Sequence, residues 1–355
     1  MDFSLSEERK MLQETVARFF ENSYNDIKKR SEYLNMNDGF SREFWKESSR
    51  LGVISGLISP NYGGLGGSGE DISIIFELIG KSLCIEPFLS SGLLSTTILS
   101  SIKNPKTELI NQIIDGELLV SFAHMEMNNR YEDHFVESKA FFENENWKLN
   151  GSKSFVINGD TADKVIISAR IEGKINDKNG IGLFLVDNNQ IKNRSYNTID
   201  GYRAAELNFD NIKAELLCED DLALECIIKA NSAGALALSA EAVGIMQVCF
   251  DLTLDYLKTR KQFGKSIGSF QSIQHRMVDM MLEIEQVRSA VMLASSTFET
   301  NSSTRDKNIS AAKNLVGRVG KLIAEESIQL HGGIAMTWEY SVAHYAKRLI
   351  MIDHL

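Results

Sequence analysis

The chain has 355 residues, of which 43% are hydrophobic and 24% are charged. This composition excludes collagen-like, coiled-coil and disordered proteins, and the length allows two or three structural units. The net charge of -10 argues against a nucleic-acid partner, since an acidic chain repels phosphate polyanions. The four cysteines form no CxxC or Cys/His cluster, so neither a zinc site nor a disulfide framework is expected. The acidic, polar N-terminus and the lack of a long uncharged apolar run predict a cytoplasmic protein without a membrane span.

Residues 1–116 have the pattern of helices joined by polar loops. Apolar residues recur at helical spacing over residues 5–20 and 71–83, and a shorter helix is predicted over 93–98. The three prolines all precede residue 106, so nothing after that point prevents long uninterrupted helices. We predict an N-terminal helical domain here.

Residues 117–220 change to short runs of period two bounded by Asn, Gly and Asp. The predicted strands are LLVSFAH, HFVESKAFF, WKLNG, KSFVING, KVIISAR, GLFLV and AELNF. Strands this closely spaced predict a central β-domain with an antiparallel sheet or a β-barrel.

Residues 221–355 return to helical spacing. Helices are predicted over 222–259, 270–297, 306–330 and 340–352. Long helices with short connections indicate a four-helix bundle. The fold class is therefore mainly α with a central β-domain.

Three strings invite a ligand-binding interpretation. Residues 64–69 match GxGxxG, but Ser, Pro and Asn break the segment before them, so a turn between helices is the better interpretation. The string Arg260–Gly264 either binds a pyrophosphate and an adenine or only completes the C-terminus of a helix. The string Gln329–Gly333 either stops a helix or lets backbone N–H groups approach a phosphate.

The six histidines show neither an HExxH motif nor a paired ligand spacing, and no GxSxG motif occurs. We therefore expect no metal site and no serine-hydrolase chemistry. Most of these imidazoles are expected to be hydrogen-bonded structural groups or surface groups.

Together with their surroundings, these strings resemble the acyl-CoA dehydrogenase family. RKQFGKSIGSFQSIQHRMVDM and QLHGGIAMTWEYSVAHYAKR are similar to the two signatures of that family's C-terminal bundle. SEERKMLQETVARFF and FWKESSRLGVISGLISPNYGGLGG are similar to its opening helices, so the resemblance covers essentially the whole chain. It implies FAD as cofactor, oxidation of an acyl-CoA to a 2-enoyl-CoA, and an electron-transfer flavoprotein as electron acceptor.

In this family each FAD lies between the β-domain of one subunit and the bundle of another. By position, the resemblance implies that two groups of residues hold the adenosine diphosphate half of the cofactor. One group is Arg260, Gln262, Phe263 and Gln271, and the other is Gln329, Gly332 and Gly333. We therefore expect FAD at an interface between subunits.

The flavin side departs from the family pattern. Where members carry a loop like TEPGAGSD, residues 124–130 read HMEMNNR. Where members carry Trp-Ile-Thr, this chain has Phe155, Val156 and Ile157. Met125 and Ile157 cannot supply the hydroxyl hydrogen bonds that tune a flavin ring.

The catalytic carboxylate departs as well. In most members a Glu follows the second bundle signature, and alignment puts it just beyond Leu355. The alternative family position, on the first bundle helix, is Gly234, and Ala235 replaces a nearby Arg. Two acids remain as candidate bases: Glu241, about two helical turns beyond Gly234, and Asp353. The plainer alternatives are a Glu241 that is packed or ion-paired inside the bundle and an Asp353 that is solvated near a helix end.

These departures resemble the small subunits of two-gene acyl-CoA dehydrogenases, most closely the pimeloyl-CoA type. The leading hypothesis is a heterotetramer in which this chain completes an FAD site bound mainly by a large acyl-CoA dehydrogenase subunit. The alternatives are a self-sufficient homo-oligomeric dehydrogenase that uses Glu241 or Asp353, and a non-catalytic scaffold.

Overall fold

The computed structural model describes residues 6–24, 26–129 and 131–355, and the chain divides into two compact units. The first unit comprises Met1–Asn35, Ser68–Ile85 and Ala235–Leu355, and the second comprises Met36–Gly67 and Glu86–Gly234. The predicted boundaries after residues 116 and 220 divide the chain by sequence order and stay a prediction.

Ten α-helices occur among the described residues. They are α1 (Glu7–Ser23), α2 (Ile27–Leu34), α3 (Arg42–Arg50), α4 (Gly69–Ser82), α5 (Thr96–Ser101), α6 (Thr107–Ile114), α7 (Asp220–Thr259), α8 (Gln271–Ser296), α9 (Ser302–His331) and α10 (Val342–His354). A π-helical segment, Phe88–Ser95, precedes α5. The mainly α fold class with a central sheet is confirmed, and the four predicted bundle helices correspond to α7, α8, α9 and α10.

Helix α4 begins with a capping box. The Ser68 hydroxyl accepts a hydrogen bond from the Asp71 backbone N–H, and the Asp71 carboxylate accepts one from the Ser68 N–H. The glycine-rich segment before it forms a turn and no strand, which agrees with the turn interpretation. In the same unit α4 packs closely on α7, because a Cβ on Gly80 would lie 2.1 Å from the Glu241 backbone oxygen.

Among the described residues of the second unit, seven strands form one sheet. They are β1 (Val120–Ala123), β2 (Lys139–Glu143), β3 (Asn146–Ile157), β4 (Lys164–Arg170), β5 (Ile181–Asp187), β6 (Lys192–Asn197) and β7 (Arg203–Glu219). The order is β1-β4-β2-β3-β7-β5, with β6 on β7, and pairing of β4 with β5 closes a ring of strands. A hairpin of β8 (Lys261–Gln262) and β9 (Lys265–Ser266) lies in the first unit.

The sheet differs from the sequence-based prediction in two respects. It is mixed, because β1 pairs with β4 in parallel. The segments WKLNG and KSFVING, predicted as separate strands, form the single strand β3 with irregular pairing to β7. One irregularity places an extra residue of β3 between Lys153 and Val156, and Phe155 there has a φ of 52°.

Helix α7 is the one helix of the described residues whose length and composition would suffice to cross a membrane. Of its most apolar 18-residue window, 78% is buried inside the protein. Long core helices pass this test as readily as membrane spans do, so the finding is weak evidence for a span.

Candidate cofactor-binding site

The string after α7 folds into a two-residue hairpin. Strands β8 and β9 pair, and the two turn residues, Phe263 and Gly264, have φ values of 54° and 79°. Positive φ at both positions is the requirement of a type I′ turn, which favours Asn-Gly over Phe-Gly. A bulky residue in this conformation is an outlier, and its ring is 90% exposed. The turn therefore has a conformational cost, and it leaves an aromatic ring exposed to solvent.

The polar candidates beside this hairpin are also exposed. Arg260 directly follows α7, Gln262 lies in β8, and Gln271 is the first residue of α8. Among the described residues, none of these three side chains has a hydrogen-bond partner within the chain, so all are available to a ligand.

Helix α9 ends within the second string, and the backbone of the two glycines that follow is exposed. Gly332 has a φ of 70°, in the left-handed region that favours glycine. At both Gly332 and Gly333, a Cβ would meet no described atom within 4 Å. Gln329, on the last turn of α9, is exposed as well. The free space permits a close approach of a phosphate to the main chain.

An aromatic contact brings the two strings together. The Tyr256 backbone oxygen accepts a hydrogen bond of 2.8 Å from the Arg260 N–H, and the Tyr256 ring packs against His331 at a centroid distance of 4.6 Å. Burial lowers the pKa of His331, which is hydrogen-bonded through Nδ1 to the Ser327 backbone oxygen at 2.7 Å. Because Tyr256 lies in the last turn of α7 and His331 is the last residue of α9, this ring contact joins the ends of the two helices.

Glu241 lies inside the first unit and is 1% exposed. The Arg348 guanidinium donates to both of its carboxylate oxygens, at 2.6 Å from Nε and 2.9 Å from one terminal nitrogen. This bidentate geometry is that of a strong, buried ion pair between α7 and α10. It matches the plainer alternative for Glu241, and the catalytic role of this residue stays an untested prediction.

Asp353, near the end of α10, is exposed. Its carboxylate lies beside α9, because a Cβ on Gly317 would lie 2.0 Å from Asp353 Oδ1. The neighbouring Lys313 ammonium donates to the Ile352 backbone oxygen at 2.7 Å. The catalytic role of Asp353 also stays a prediction.

The segment after β1, which stands at the position of the family's flavin loop, takes part in a buried polar network in the second unit. The Lys153 ammonium donates to Glu126 Oε1 at 2.6 Å, to Ser168 Oγ at 3.0 Å and to the His124 backbone oxygen at 3.2 Å. Glu126 also accepts from the Ser138 N–H at 3.0 Å. Both charged side chains are almost completely buried, at 0% and 2% exposure. The network holds the residues after β1 against the sheet.

The pKa values in this network follow from burial and charge. Burial, followed by the nearby Lys153 ammonium, lowers the pKa of His124 to about 3, so its ring is neutral. Burial alone would raise the pKa of Glu126, but the Lys153 ammonium and hydrogen bonds from Lys153 and Ser138 lower it overall. Arg130, which belongs to the same loop in sequence, lies outside the described residues.

The sequence interpretation missed both the network and the aromatic contact at His331. A lysine in a strand and a histidine after a strand carry no local signal of burial. Ser168 of β4 contacts both the Lys153 ammonium and the His124 ring, and its position follows from the pairing of β4 with β1 and β5.

Within the described residues, no group of three or more His, Cys, Asp or Glu side chains could hold a metal ion.

Three family models match consecutive parts of the chain. Residues 6–117 match "Acyl-CoA dehydrogenase, N-terminal domain", residues 122–212 match the middle domain, and residues 224–351 match the C-terminal domain. The matched segments together span nearly the whole sequence.

Individual proteins agree with this match. The chain is 29% identical over 353 residues to the mitochondrial long-chain specific acyl-CoA dehydrogenase of Sus scrofa, covering 95% of this chain and 80% of that protein. Its fold is similar to butyryl-CoA dehydrogenase from Megasphaera elsdenii, with a TM-score of 0.89, 22% identity and coverage of 99% and 95%. It is also similar to a chain of the ChsE4-ChsE5 complex from Mycobacterium tuberculosis, with a TM-score of 0.88, 19% identity and coverage of 100% and 94%.

Proposed function

Because the chain belongs to the acyl-CoA dehydrogenase family, whose members are FAD-dependent oxidoreductases acting on the CH–CH bond of an acyl-CoA, we propose that it is the small subunit of a heterotetrameric dehydrogenase of the pimeloyl-CoA type. Its bundle holds the adenosine diphosphate half of an FAD, and a large subunit provides most of the other contacts to that FAD. When bound, FAD accepts the hydride that leaves the acyl chain. An electron-transfer flavoprotein then takes the electrons, and the assembly is cytoplasmic.

The observation that carries the proposal is the open backbone at Gly332 and Gly333, together with an exposed Arg260 in the same unit. Space for a phosphate, an unpaired guanidinium and a presented Phe263 ring fit the chemistry of an adenosine diphosphate group. Within the described part of the chain, these groups do not hydrogen-bond to one another. They are therefore available to a cofactor.

The β-domain supports the division of labour between subunits. Met125 and Ile157 stand where the resemblance places hydroxyl donors, and neither offers a polar side-chain hydrogen. The charged side chains in the same segments, Lys153 and Glu126, form an ion pair with each other. A flavin ring would thus find few hydrogen-bond donors among these side chains.

The geometry of the acids supports the same division. Glu241 is held in a bidentate ion pair with Arg348 inside the core, and breaking such a buried pair is strongly unfavourable. We therefore assign Glu241 a structural role and place the catalytic base on the large subunit.

The test is the visible absorption spectrum of the chain purified alone and after co-expression with a large subunit. We expect a colourless or substoichiometric preparation of the single chain. Co-expression should restore both the flavin spectrum and its bleaching by a dicarboxylyl-CoA. About one FAD per chain in the lone protein, bleached by acyl-CoA, would establish a self-sufficient dehydrogenase instead. Absence of bleaching in every combination would indicate a scaffold.

A matched pair of variants locates the cofactor. In the co-expressed assembly, Arg260→Met should weaken FAD binding about tenfold to a hundredfold, because a charge-assisted hydrogen bond is lost. Lys258→Met, an exposed cation two residues earlier, should leave FAD affinity unchanged. Equal affinities in the two variants would contradict the assignment of Arg260.

A further inference from the structure

Helix α8 is apolar on its outer face as well as on the face that packs into the first unit. The inner face packs on α4 and α9 and buries six hydrophobic side chains. The outer face leaves five more between 39% and 54% exposed, namely Val278, Met281, Leu282, Met292 and Leu293. A helix that is apolar all round is normally buried on all sides. The outer face therefore indicates a surface that another molecule covers.

The exposed residues of this face form one stripe, which we call the outer stripe. Its members recur at steps of three and four residues and therefore share one side of the helix: Val278, Met281, Leu282, Glu285, Ser289, Met292, Leu293 and Ser296. The stripe is about 27 Å long. Its one charged member, Glu285, lies 3.6 Å from Arg288 Nε of the same helix. The outer stripe is thus apolar surface without an uncompensated charge.

The apolar side chains of the outer stripe are placed symmetrically about Val287. Met281 and Leu293 are each six residues from this position, on opposite sides. Leu282 and Met292 are each five residues from it. If two copies of the helix lie antiparallel with their Val287 positions level, Met281 of each copy lies opposite Leu293 of the other. Leu282 then lies opposite Met292, so every one of these apolar side chains meets an apolar neighbour.

The polar positions fit the same antiparallel arrangement. Glu285 and Ser289 are each two residues from Val287, so the Glu285 carboxylate of one copy faces a small uncharged side chain of the other. His275 and the Glu299 of the turn after α8 are both exposed and both twelve residues from Val287, which brings an imidazole near a carboxylate. A parallel arrangement would instead place Glu285 opposite Glu285, and like charges repel.

We propose that the outer stripe of α8 binds the same helix of a second copy of this chain, packed antiparallel about Val287. A lipid surface fits the stripe poorly, because the exposed charged residues of α8, Asp279 and Glu285, are acidic, whereas helices that lie on membranes carry Lys and Arg. The contact requires neither FAD nor a large subunit. It is compatible with a heterotetramer, since that assembly contains two copies of this chain.

The size of the outer stripe sets the strength of the contact. A stripe of this length and about 10 Å wide covers a few hundred Å² on each copy, less than the roughly 800 Å² per partner of a stable interface. We therefore expect the lone chain to exchange between monomer and dimer at micromolar concentrations.

The first experiment is sedimentation velocity of the lone chain between about 1 and about 100 µM. We expect the mass to rise from the 39.7 kDa of a monomer to that of a dimer. Leu282→Lys should raise the dissociation constant at least about tenfold, because it places a charge within the apolar contact. Leu65→Lys makes the same change at a leucine that is 75% exposed in the other unit, and it should dimerise as the wild type does.

Far-UV circular dichroism and thermal melting of both variants should match the wild type, because both leucines are exposed. A wild-type chain that stays monomeric at every concentration would overturn the proposal. So would equal dimerisation of the two variants.

The second experiment tests the antiparallel register with a short bis-maleimide. A mixture of Met281→Cys and Leu293→Cys should cross-link, because the two positions lie opposite each other. Each variant alone should not, since about 18 Å of helix separates its thiol from the one on the second copy. The four native thiols are buried, so the introduced thiol is the accessible one.

The cross-linking pattern has two contrary outcomes. Linking of the single variants without linking of the mixture would indicate a parallel contact. Linking only to a co-expressed large subunit would assign the outer stripe to that partner. Either result would overturn the proposal, and neither readout depends on bound FAD or on turnover.

Discussion

The end of the bundle and the interior of the β-domain both concentrate polar side chains, but they use them in opposite ways. At the bundle end, Arg260, Gln262 and Phe263 are exposed and, within the described residues, the two polar side chains are unbonded. In the β-domain, Lys153 and Glu126 are buried and each satisfies the other. The first arrangement can hold a ligand at little cost to stability. The second contributes to the fold and offers little to a ligand.

The largest expected effect comes from breaking the buried network. Lys153→Met should lower the free energy of unfolding by about 3–5 kcal/mol, because it leaves the Glu126 carboxylate buried without its counter-ion. Urea denaturation at pH 7 measures the change. The matched control is Lys148→Met on the same strand, where a surface ion pair with Glu143 contributes no more than about 1 kcal/mol. Equal losses in the two variants would show that the network is not a structural element.

A pH dependence of intermediate size follows from His124. Its folded-state pKa of about 3 lies below the value near 6.5 of an unfolded histidine, so the unfolded state binds an extra proton as the pH falls below 6.5. Stability contributed by the neutral ring is therefore lost on acidification, at about 1.4 kcal/mol per pH unit, or about 2 kcal/mol between pH 6.5 and 5. Unfolding free energies measured across this range should show a shallower decline in His124→Gln than in the wild type. His275→Gln, at an exposed position outside the network, is the control for a His-to-Gln substitution as such.

The smallest effect on stability is expected at the bundle end, where it is paired with a loss of binding. Phe263→Asn should raise the free energy of unfolding by about 1 kcal/mol, because Asn tolerates the left-handed conformation and suits a type I′ turn before Gly264. The same variant should retain less FAD in the co-expressed assembly, since the aromatic ring is gone. Phe263→Tyr keeps the ring and should keep both the strain and the cofactor. A Phe263→Asn variant that is neither more stable nor poorer in FAD would remove the reason given for the strained turn.

The sequence predicts what local periodicity and motif spacing encode. The pattern over residues 222–259 predicts a helix that the structure places at Asp220–Thr259, and KVIISAR coincides with β4. Strand β6 has no such pattern, because its residues are polar and mostly exposed. Asn150-Gly151 looks like a hairpin turn, yet it lies in the middle of β3, where the pairing with β7 shifts register.

Non-local contacts at the candidate site could not be predicted in this way. The Glu241 carboxylate pairs with Arg348 across 107 residues, and no spacing rule connects a residue of α7 with one of α10. By contrast, Gly332 and Gly333 could be singled out in advance, because a glycine's use is conformational and is therefore visible in the sequence.

The extra residue of β3 makes the length of this strand matter as much as its composition. Lys153 and Val156 are three positions apart and yet both are buried, because the additional residue reverses the alternation of faces between them. Deleting Ser154 or Phe155 would restore regular pairing, and it would turn either the Lys153 side or the Val156 side of the strand outward. A gap of one residue here would thus be more damaging to the β-domain than substitution of either side chain, and alignments of this segment should be built on strand register before residue identity.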